Sequence, residues 1–338
     1  MTEQRNMWGR RDFLKRAALA AGVVASSPLL PFLLEESASA GTLPKVDLPI
    51  TSLPSLNETV SLIIRAGKFD EKNGIKINFK PRRLGPALND YRSGRTSINA
   101  SATIVHEGDH LNRGIPTRAL FGTVAYYGTV LTSDPNIKTL KDLESRKLGA
   151  ATVSGNYAIF RWFAMKEGVK LKKENVQSLG VPTLVPTLLA GRVEALQCWE
   201  PAASIVQNKA PGKYHRIEYA HKWKQLTGFD VLPYLTVAAK KDWVDTHRQI
   251  IPKMYLTYKD ASDFLYSNQK EAITMMAKLV KGKIPTPVLE EIVKTDTLRF
   301  HPFRFQDMKK ETEAVFRAMV EIGRMKKMPD PEIIYQWG

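Results

Sequence analysis

Strand-like and helix-like segments alternate from residue 46 to about residue 240, and this alternation limits the fold more than any other feature. Residues 46–52 have an apolar strand pattern that stops at Pro54, and Ser55-Leu56-Asn57-Glu58 then matches a capping box at the start of a helix. Short β-prone runs and amphipathic helical stretches continue to alternate after this point. Strands that alternate with helices at such spacing form parallel βαβ units, so the sequence predicts the α/β class.

The alternating segments fall into two series. The first ends in a long β-prone stretch, residues 118–131, and the second occupies residues 134–219. After a β-prone segment at 234–239, helical patterns cover residues 250–266, 269–280, 287–294 and 305–325. We therefore expect two α/β lobes joined by a double crossover hinge. Residues 41–130 and 232–338 would form the first lobe with its C-terminal helices, and residues 131–231 the second.

The first forty residues have the features of an export signal, in the expected order. Arg10-Arg11-Asp12-Phe13-Leu14-Lys15 precedes an alanine-rich apolar stretch, residues 17–34, and Ala38-Ser39-Ala40 closes the segment. An amphipathic or membrane-spanning helix is the alternative, but two prolines interrupt the stretch and the ending suits a signal peptidase. We expect a twin-arginine signal peptide over residues 1–40, cleaved near Ala40, and a mature chain that works in the periplasm.

The charge balance narrows the class of partner. The chain has 50 Lys and Arg against 34 Asp and Glu, a formal net charge of +16, of which the first forty residues carry about +1. Such a balance fits nucleic acid, an anionic membrane surface or an anionic small ligand. The basic residues are scattered, and an exported protein rarely meets nucleic acid. We expect a small-molecule partner, with some preference for an anion, and neither nucleic acid nor a cofactor.

Sequence motifs of the common enzyme classes are missing. The chain has no G-x-G-x-x-G, P-loop, H-E-x-x-H or G-x-S-x-G motif. Its single cysteine, Cys198, ends an apolar run with no histidine close in sequence, so we expect a buried, unreactive thiol. His106 and His110 stand four residues apart on a predicted helix, a spacing that can bind a metal, but no third ligand is evident. We interpret the pair as a solvated polar helix face, and we predict no metal site and no catalytic residue.

Small and hydroxyl-bearing residues collect at four joints between a predicted strand and a predicted helix. Open α/β sheets bind ligands at such joints, where helix N-termini present free N–H groups. Helix capping alone also selects Ser, Thr and Asn, but four joints that face one cleft favour a binding site. The candidate ligand-binding residues are Ser52, Pro54 and Ser55; Ser101, Ala102 and Thr103; Ser154, Gly155, Asn156 and Tyr157; and Trp199 and Glu200.

Three of the candidate positions have two interpretations each. Tyr126 falls at the expected crossover between the lobes, where it either forms a wall of the cleft or packs in the core. Trp199 either stacks on a planar ligand or covers the core. Glu200 would repel a simple anion and favour an amine if it faced the cleft, and an aminosulfonate zwitterion would satisfy both requirements. The same residue can equally cap the helix that Pro201 opens.

The order of several short motifs resembles one protein family. The motifs are GKFDEKNGIKI at 67–77, AL at 87–88 with SGR at 93–95, GIP at 114–116, IKTLKDL at 137–143 with KLG at 147–149, and LLAGRVEA at 188–195 with WEP at 199–201. Together they resemble the periplasmic substrate-binding proteins of nitrate/sulfonate/taurine ABC importers, a family that also includes bicarbonate and thiamine-precursor binders. Two positions depart from the family pattern: Glu144-Ser145-Arg146 replaces a Lys-Gly pair, and Glu194 replaces an aspartate.

The resemblance implies a two-lobed, type II-like binding protein that closes on a small solute by hinge motion. It implies delivery of the solute to an ABC permease in the inner membrane, by a monomer. In this hypothesis Ser52, Ser55, Ser101 and Thr103 donate from one lobe, Ser154, Asn156 and Tyr157 close from the other, and Trp199 stacks on the solute. Two alternatives remain: an enzyme on the same scaffold, related to pyrimidine or thiamine-precursor synthesis, and a ligand-free adaptor for a membrane partner.

Overall fold

The computed structural model describes residues 43–337, and the predicted export signal lies outside the described residues. Within this range the chain is a mixed α/β protein, which confirms the predicted class. No helix in the same range combines the length and the apolar character that a membrane span requires.

Strands and helices alternate through the first two thirds of the chain, and helices fill most of the remainder. The strands are β1 (Lys45–Thr51), β2 (Lys76–Arg82), β3 (Ile98–Asn99), β4 (Thr117–Ala125), β5 (Thr129–Thr132), β6 (Leu148–Ala150), β7 (Val176–Ser178), β8 (Ala195–Cys198), β9 (His215–Glu218) and β10 (Pro233–Lys240). The α-helices are α1 (Leu56–Gly67), α2 (Phe69–Lys72), α3 (Leu84–Arg92), α4 (Ile104–Asn112), α5 (Gly155–Lys166), α6 (Leu184–Leu189), α7 (Ala202–Lys209), α8 (Lys222–Thr227), α9 (Lys241–Thr246), α10 (Ile250–Ser267), α11 (Gln269–Val280), α12 (Thr286–Lys294) and α13 (Lys309–Glu321).

The strands form three sheets. Sheet A pairs β1 with β2, sheet B has the order β3-β10-β4, and sheet C has the order β7-β6-β8-β5-β9. The Ala100 N–H donates a 2.9 Å hydrogen bond to the Pro49 carbonyl, so sheets A and B lie side by side. The chain therefore has one group of strands in sheets A and B and a second group in sheet C.

The sheets are mixed rather than purely parallel. The β1–β2, β6–β7 and β6–β8 pairs are parallel, whereas β5 and β10 pair antiparallel with all their neighbours. β5 and β10 follow the segments that cross between sheets B and C, so no helix on the same sheet forces them to run parallel. The prediction of parallel βαβ units is correct within each series and wrong at the crossovers.

The stretch 118–131, which the sequence predicted as one β segment, is divided between sheets B and C. A Cβ atom at Gly128, in the break, would lie 2.4 Å from the Tyr126 hydroxyl oxygen, so only glycine fits there. Tyr126 N–H donates to the Leu232 carbonyl at 2.8 Å and joins this crossover to the returning one. The assignment of residues 41–130 and 232–338 to one lobe and of 131–231 to the other remains a prediction.

One of the short β-prone runs, residues 96–103, predicts a strand of eight residues, but the strand in the structure is only Ile98–Asn99. The Asn99 side-chain oxygen accepts a 2.7 Å hydrogen bond from the Ser101 N–H, and this local turn ends the strand before Thr103 caps α4. The backbone at residues 100–103 thus turns toward the start of a helix and keeps only an isolated bridge from Thr103 to Leu235 of β10.

A continuous hydrophobic core connects the three sheets with the C-terminal helices. Cys198 lies in this core and is fully buried, and burial raises the pKa of its thiol, as the apolar run predicted. Helix α13 packs against α4 and α5, and its Glu321 carboxylate accepts a 2.8 Å hydrogen bond from the Trp162 indole N–H of α5. The C-terminal segment therefore contacts helices that belong to both groups of strands.

Candidate functional site

Three helices begin at the same pocket. The side-chain oxygens of Ser55, Thr103 and Ser154 cap α1, α4 and α5 by accepting a backbone N–H of the first turn, at 3.2, 3.4 and 3.1 Å. All three cap residues line the pocket. The other N–H groups of a first helical turn have no partner within the helix, and the helix dipole adds partial positive charge there. The pocket thus receives three positive helix ends.

The pocket is narrow, with a cavity volume of about 20 Å³ inside about 340 Å³ of atom-free space that includes open solvent. Its walls combine hydroxyls and an amide with apolar and aromatic side chains. The lining residues are Thr51, Ser55, Leu56, Asn57, Leu84, Ser101, Thr103, His106, Ser154, Gly155, Val181, Trp199, Tyr234 and Leu235. This lining contains neither a carboxylate nor a Lys or Arg side chain, so the helix ends and hydroxyls determine its electrostatics.

Ser101 is a lining residue whose buried hydroxyl lacks a hydrogen-bond partner within residues 43–337. Its side chain is 2% exposed, and its hydroxyl has no hydrogen-bond partner among the described residues. The neighbouring Asn99 side-chain nitrogen is also buried without a partner in the same part of the chain. A buried donor without an acceptor costs about 1–3 kcal/mol, so the site is suited to a ligand that accepts hydrogen bonds.

The two sheet groups meet directly at this pocket. The imidazole Nε2 of His106, on α4, lies 3.0 Å from the carbonyl of Val153, in the loop between β6 and α5. A Cβ atom at Gly155 would lie 2.2 Å from the Thr103 hydroxyl oxygen, so α5 approaches α4 as closely as a glycine allows. The structure therefore shows a cleft whose two sides are in contact.

The interpretation of His106 and His110 as a solvated polar face is wrong. His106 is 1% exposed and His110 is fully buried, because sheet B, α5 and α13 all pack against α4. The Thr103 N–H lies 3.2 Å from His106 Nδ1, and His110 lies between the Glu107 carboxylate (3.3 Å) and the Arg92 guanidinium (3.2 Å). The described residues contain no group of three or more metal-ligating side chains.

Of the thirteen candidate residues, six line the pocket: Ser55, Ser101, Thr103, Ser154, Gly155 and Trp199. Ser52, Pro54, Ala102 and Tyr157 are sequence neighbours of lining residues but do not line it themselves. Ser52 donates its N–H to the Arg82 carbonyl at 2.9 Å, and Tyr157 packs its ring on Phe160 with centroids 6.0 Å apart. These residues at the outer positions of each joint therefore stabilise the local backbone and packing and do not line the pocket.

Asn156 and Tyr126 meet behind the pocket. The fully buried Asn156 accepts from Gln197 at 2.5 Å and from the Tyr126 hydroxyl at 3.2 Å, and it donates to the Tyr127 carbonyl at 3.2 Å. The Tyr126 hydroxyl also lies 2.8 Å from that of Tyr219. These contacts attach the start of α5 to the crossover, so both candidates hold the frame of the pocket.

Glu200 points into the protein and caps a helix. Its fully buried carboxylate accepts from the Ser204 N–H and hydroxyl at 3.0 and 3.1 Å and forms a 2.6 Å ion pair with Arg216. Arg216 also donates to the Tyr127 hydroxyl at 2.7 Å. The structure therefore supports the interpretation in which Glu200 caps the helix after Pro201. The Glu200 carboxylate does not line the pocket.

Eight of the lining residues are not among the candidates from the sequence: Thr51, Leu56, Asn57, Leu84, His106, Val181, Tyr234 and Leu235. Thr51, Leu56 and Asn57 flank the first joint, and their closeness to Ser52 and Ser55 in the sequence is the signal that marks them. Leu84, Val181 and Tyr234 come from three other segments, and no local pattern marks them. Only the tertiary structure brings these side chains to the joints.

Solved structures with the same architecture include several binding proteins. The alkanesulfonate-binding protein SsuA from Xanthomonas axonopodis pv. citri, bound to MOPS, has a TM-score of 0.70 at 13% identity and covers 88% of this chain and 100% of its own. The periplasmic aliphatic sulphonate binding protein SsuA from Escherichia coli has a TM-score of 0.65 at 14% identity and covers 86% and 96%. The fold is that of a periplasmic binding protein. A structure from Bordetella bronchiseptica RB50 shares this periplasmic binding protein fold, with a TM-score of 0.69 at 19% identity over 88% and 96% of the two chains.

Sequence comparisons agree with the fold. The NMT1/THI5-like family model matches residues 110–272, somewhat under half of the chain, and the family resemblance is confirmed. Provisionally named binding proteins from Brucella abortus (strain 2308) and Brucella suis biovar 1 (strain 1330) are each 22% identical over 148 residues, which are 43% of this chain and 44% of theirs. The chain therefore aligns with less than half the length of these curated relatives.

Proposed function

We propose that this chain is the solute-binding protein of an ABC importer and that it holds a small organic or inorganic oxyanion, such as a sulfonate or nitrate, in the cleft between its two sheet groups. The observation that carries the proposal is the meeting of three helix N-termini at one pocket, capped by Ser55, Thr103 and Ser154. Helix N-termini bind anions through free N–H groups and partial positive charge. The buried hydroxyl of Ser101 supplies a further donor.

The lining favours a simple anion over a zwitterion. An ammonium group needs an acceptor, most often a carboxylate, and no carboxylate lines the pocket. Glu200, the carboxylate that the sequence offered for this role, is buried against Arg216 and Ser204. Leu56, Leu84, Val181 and Leu235 provide an apolar wall that suits a short alkyl group next to the anionic head.

We also propose where the protein works in the cell and how its lobes are arranged. The twin-arginine segment at residues 1–40 directs the protein to the periplasm, where it works as a monomer and delivers its solute to an inner-membrane permease. Sheets A and B with the C-terminal helices form one lobe, and sheet C with its helices forms the other. The two crossovers, joined by the Tyr126–Leu232 hydrogen bond, are the hinge between them.

The pocket supports binding better than catalysis. Its nearest approach to a catalytic pair is the Thr103 hydroxyl, 3.1 Å from His106 Nδ1. Burial lowers the pKa of His106 to about 3, so its imidazole is a weak base at neutral pH. Cys198 is fully buried and does not line the pocket. An enzyme on this scaffold would need a stronger base than the lining provides.

A thermal-shift panel on the purified mature protein tests the proposal. Methanesulfonate, ethanesulfonate and nitrate are expected to stabilise it, by about 2.7 kcal/mol at 100 times the dissociation constant. Taurine, which adds an ammonium group to ethanesulfonate, is expected to bind at least tenfold more weakly than ethanesulfonate. Stabilisation by amines or pyrimidines alone would contradict the choice of an anion, and turnover of a panel compound would contradict the binding role.

Ser101→Ala separates ligand binding from folding. Because the hydroxyl has no partner among the described residues, its loss is expected to leave the free energy of unfolding unchanged or higher. The same change is expected to weaken nitrate or methanesulfonate binding about tenfold or more, since a hydrogen bond to a charged group contributes about 1.5–3 kcal/mol. Calorimetric titration and thermal unfolding measure the two effects.

Thr96→Val is the matched control for Ser101→Ala. The Thr96 hydroxyl is also buried without a partner among the described residues, but Thr96 does not line the pocket. Its replacement is expected to affect stability in the same direction and to leave the affinity for both anions unchanged. Equal affinities for all three proteins would show that the anion does not contact Ser101.

A further inference from the structure

His106 forms a hydrogen bond that joins the two sides of the cleft at the pocket. It lies in the first turn of α4, which packs on sheet B, and its Nε2 contacts the Val153 carbonyl, in the loop that follows β6 of sheet C, at 3.0 Å. The Thr103–Gly155 contact lies in the same place. If the two sides separated, the His106–Val153 bond would break and the imidazole would meet water.

The hydrogen-bond partners determine the form of the imidazole. A carbonyl only accepts, so Nε2 must carry a proton to bond Val153. Nδ1 lies 3.2 Å from the Thr103 N–H, which only donates, so Nδ1 uses its lone pair there. Both requirements are met by one neutral tautomer. A second proton on Nδ1 would face the Thr103 N–H; the Thr103 hydroxyl oxygen, 3.1 Å from Nδ1, already accepts the His106 N–H at 3.4 Å.

We propose that His106 is a positioning residue of the closed cleft, which closes on an anion only when this imidazole is neutral, so that affinity for the anion falls as the pH falls. The inference rests on the proposed solute-binding function, because it requires a cleft that opens and closes around its solute. His106 is 1% exposed and lines the pocket together with Thr103 and Gly155, so its ring has little room to turn away while the cleft stays closed.

The charges around His106 act in the same direction. Arg92 of α3, Arg324 after α13 and His110 on α4 itself all disfavour a second proton, whereas the hydrogen bond to the Val153 carbonyl raises the pKa and is outweighed by burial. Burial, the largest cause, and these groups together lower the pKa of His106 to about 3 in the closed cleft. Glu107 and Asp109 lie on the same helix, but Glu107 is engaged by His110 and Thr117, and Asp109 by Arg324.

The sign of the pH effect follows from the two states. In an open cleft the imidazole is hydrated, so burial no longer lowers its pKa, and the pKa rises toward the ordinary value of about 6.5. Arg92, Arg324 and His110 lie on the same side of the cleft as the imidazole and still hold the pKa below that value. Closure is therefore favoured when the pH lies above the open-cleft pKa, and it must release a proton when the pH lies below it. A bound anion would stabilise the protonated imidazole if it could accept a hydrogen bond from the ring. Here both ring nitrogens already have partners, because Nε2 bonds to the Val153 carbonyl and Nδ1 to the Thr103 N–H.

The test is the affinity for methanesulfonate and for nitrate at pH 7.5 and pH 5.5, because neither anion titrates in this range. For the wild-type protein the dissociation constant is expected to rise several-fold, at most about tenfold, between these values. For His106→Gln it is expected to be independent of pH, because glutamine at this capping-box position keeps an acceptor for the Thr103 N–H and cannot titrate. His247→Gln, at a half-buried ring stacked on Trp243, is the control and is expected to keep the wild-type change.

A second measurement needs no variant. Calorimetry of the wild-type protein at pH 5.5, in two buffers of different ionisation enthalpy, is expected to show release of about one proton per anion bound, and at pH 7.5 almost none. Equal wild-type affinities at the two pH values, or tighter binding at pH 5.5, would overturn the inference and leave the binding function intact. Failure of both anions to bind at either pH would overturn the proposed function and this inference with it.

Discussion

Gly155→Ala is expected to weaken binding of methanesulfonate and nitrate roughly a hundredfold while the protein remains folded. The new Cβ atom would lie 2.2 Å from the Thr103 hydroxyl oxygen and 3.1 Å from the Thr103 Cβ atom. Thr103 cannot easily move, since the same oxygen caps α4. Overpacking a tight contact costs about 1–3 kcal/mol, and here separation of the two sides of the cleft relieves it, so the cost falls on closure rather than on folding.

The matched control is Gly85→Ala. A Cβ atom at Gly85 would have no neighbour within 4 Å, although the adjacent Leu84 lines the pocket. This variant is expected to bind both anions like the wild-type protein. Calorimetric titration gives the affinities, and small-angle scattering with saturating nitrate is expected to show a more open shape for Gly155→Ala alone. An affinity within about threefold of wild type for Gly155→Ala would show that the Thr103–Gly155 contact does not belong to the anion-bound state.

The parts of the site that depend on local chemistry could be predicted from the sequence. Ser55, Thr103 and Ser154 each follow a strand pattern and precede an amphipathic run, and a hydroxyl at that point caps a helix whatever the rest of the fold does. The strands before these helices, β1, β3 and β6, belong to three different sheets, so parallel pairing alone does not bring the helix starts together. The sequence therefore predicts the helix starts, whereas the packing of the two sheet groups brings them to one pocket.

The parts that depend on distant packing could not be predicted. Whether His106 is solvated depends on the loop before α5, 47 residues later in the chain, because the Val153 carbonyl of that loop contacts the imidazole. The orientation of Glu200 depends on Arg216 of β9, and an isolated W-E-P motif is compatible with either orientation. The periodicity of a helix or strand shows which of its faces is apolar. Residues elsewhere in the chain determine which elements cover that face.

Arg216→Met is expected to destabilise the protein by about 3–5 kcal/mol at neutral pH, the usual cost of removing one partner of a buried ion pair. The Glu200 carboxylate has no exposed surface, and without Arg216 it would keep only the hydrogen bonds from Ser204. Arg216 also donates to Tyr127 and Gln207, so its loss leaves further polar groups unsatisfied. Urea unfolding of the wild-type protein and the variant measures the difference in the free energy of unfolding.

The double variant Glu200→Gln, Arg216→Met distinguishes a structural pair from a ligand contact. Removing both charges is expected to restore most of the stability, because no uncompensated charge stays buried, and to leave methanesulfonate and taurine affinities unchanged. Lys259→Met, which removes an exposed partner of Asp263 on α10, is the control and is expected to cost no more than about 0.5 kcal/mol. A cost for Arg216→Met as small as that of the control would mean that Glu200 reaches water. Weaker taurine binding by the double variant would mean that Glu200 meets the solute's ammonium group, and a zwitterion would then replace the simple anion as the expected solute.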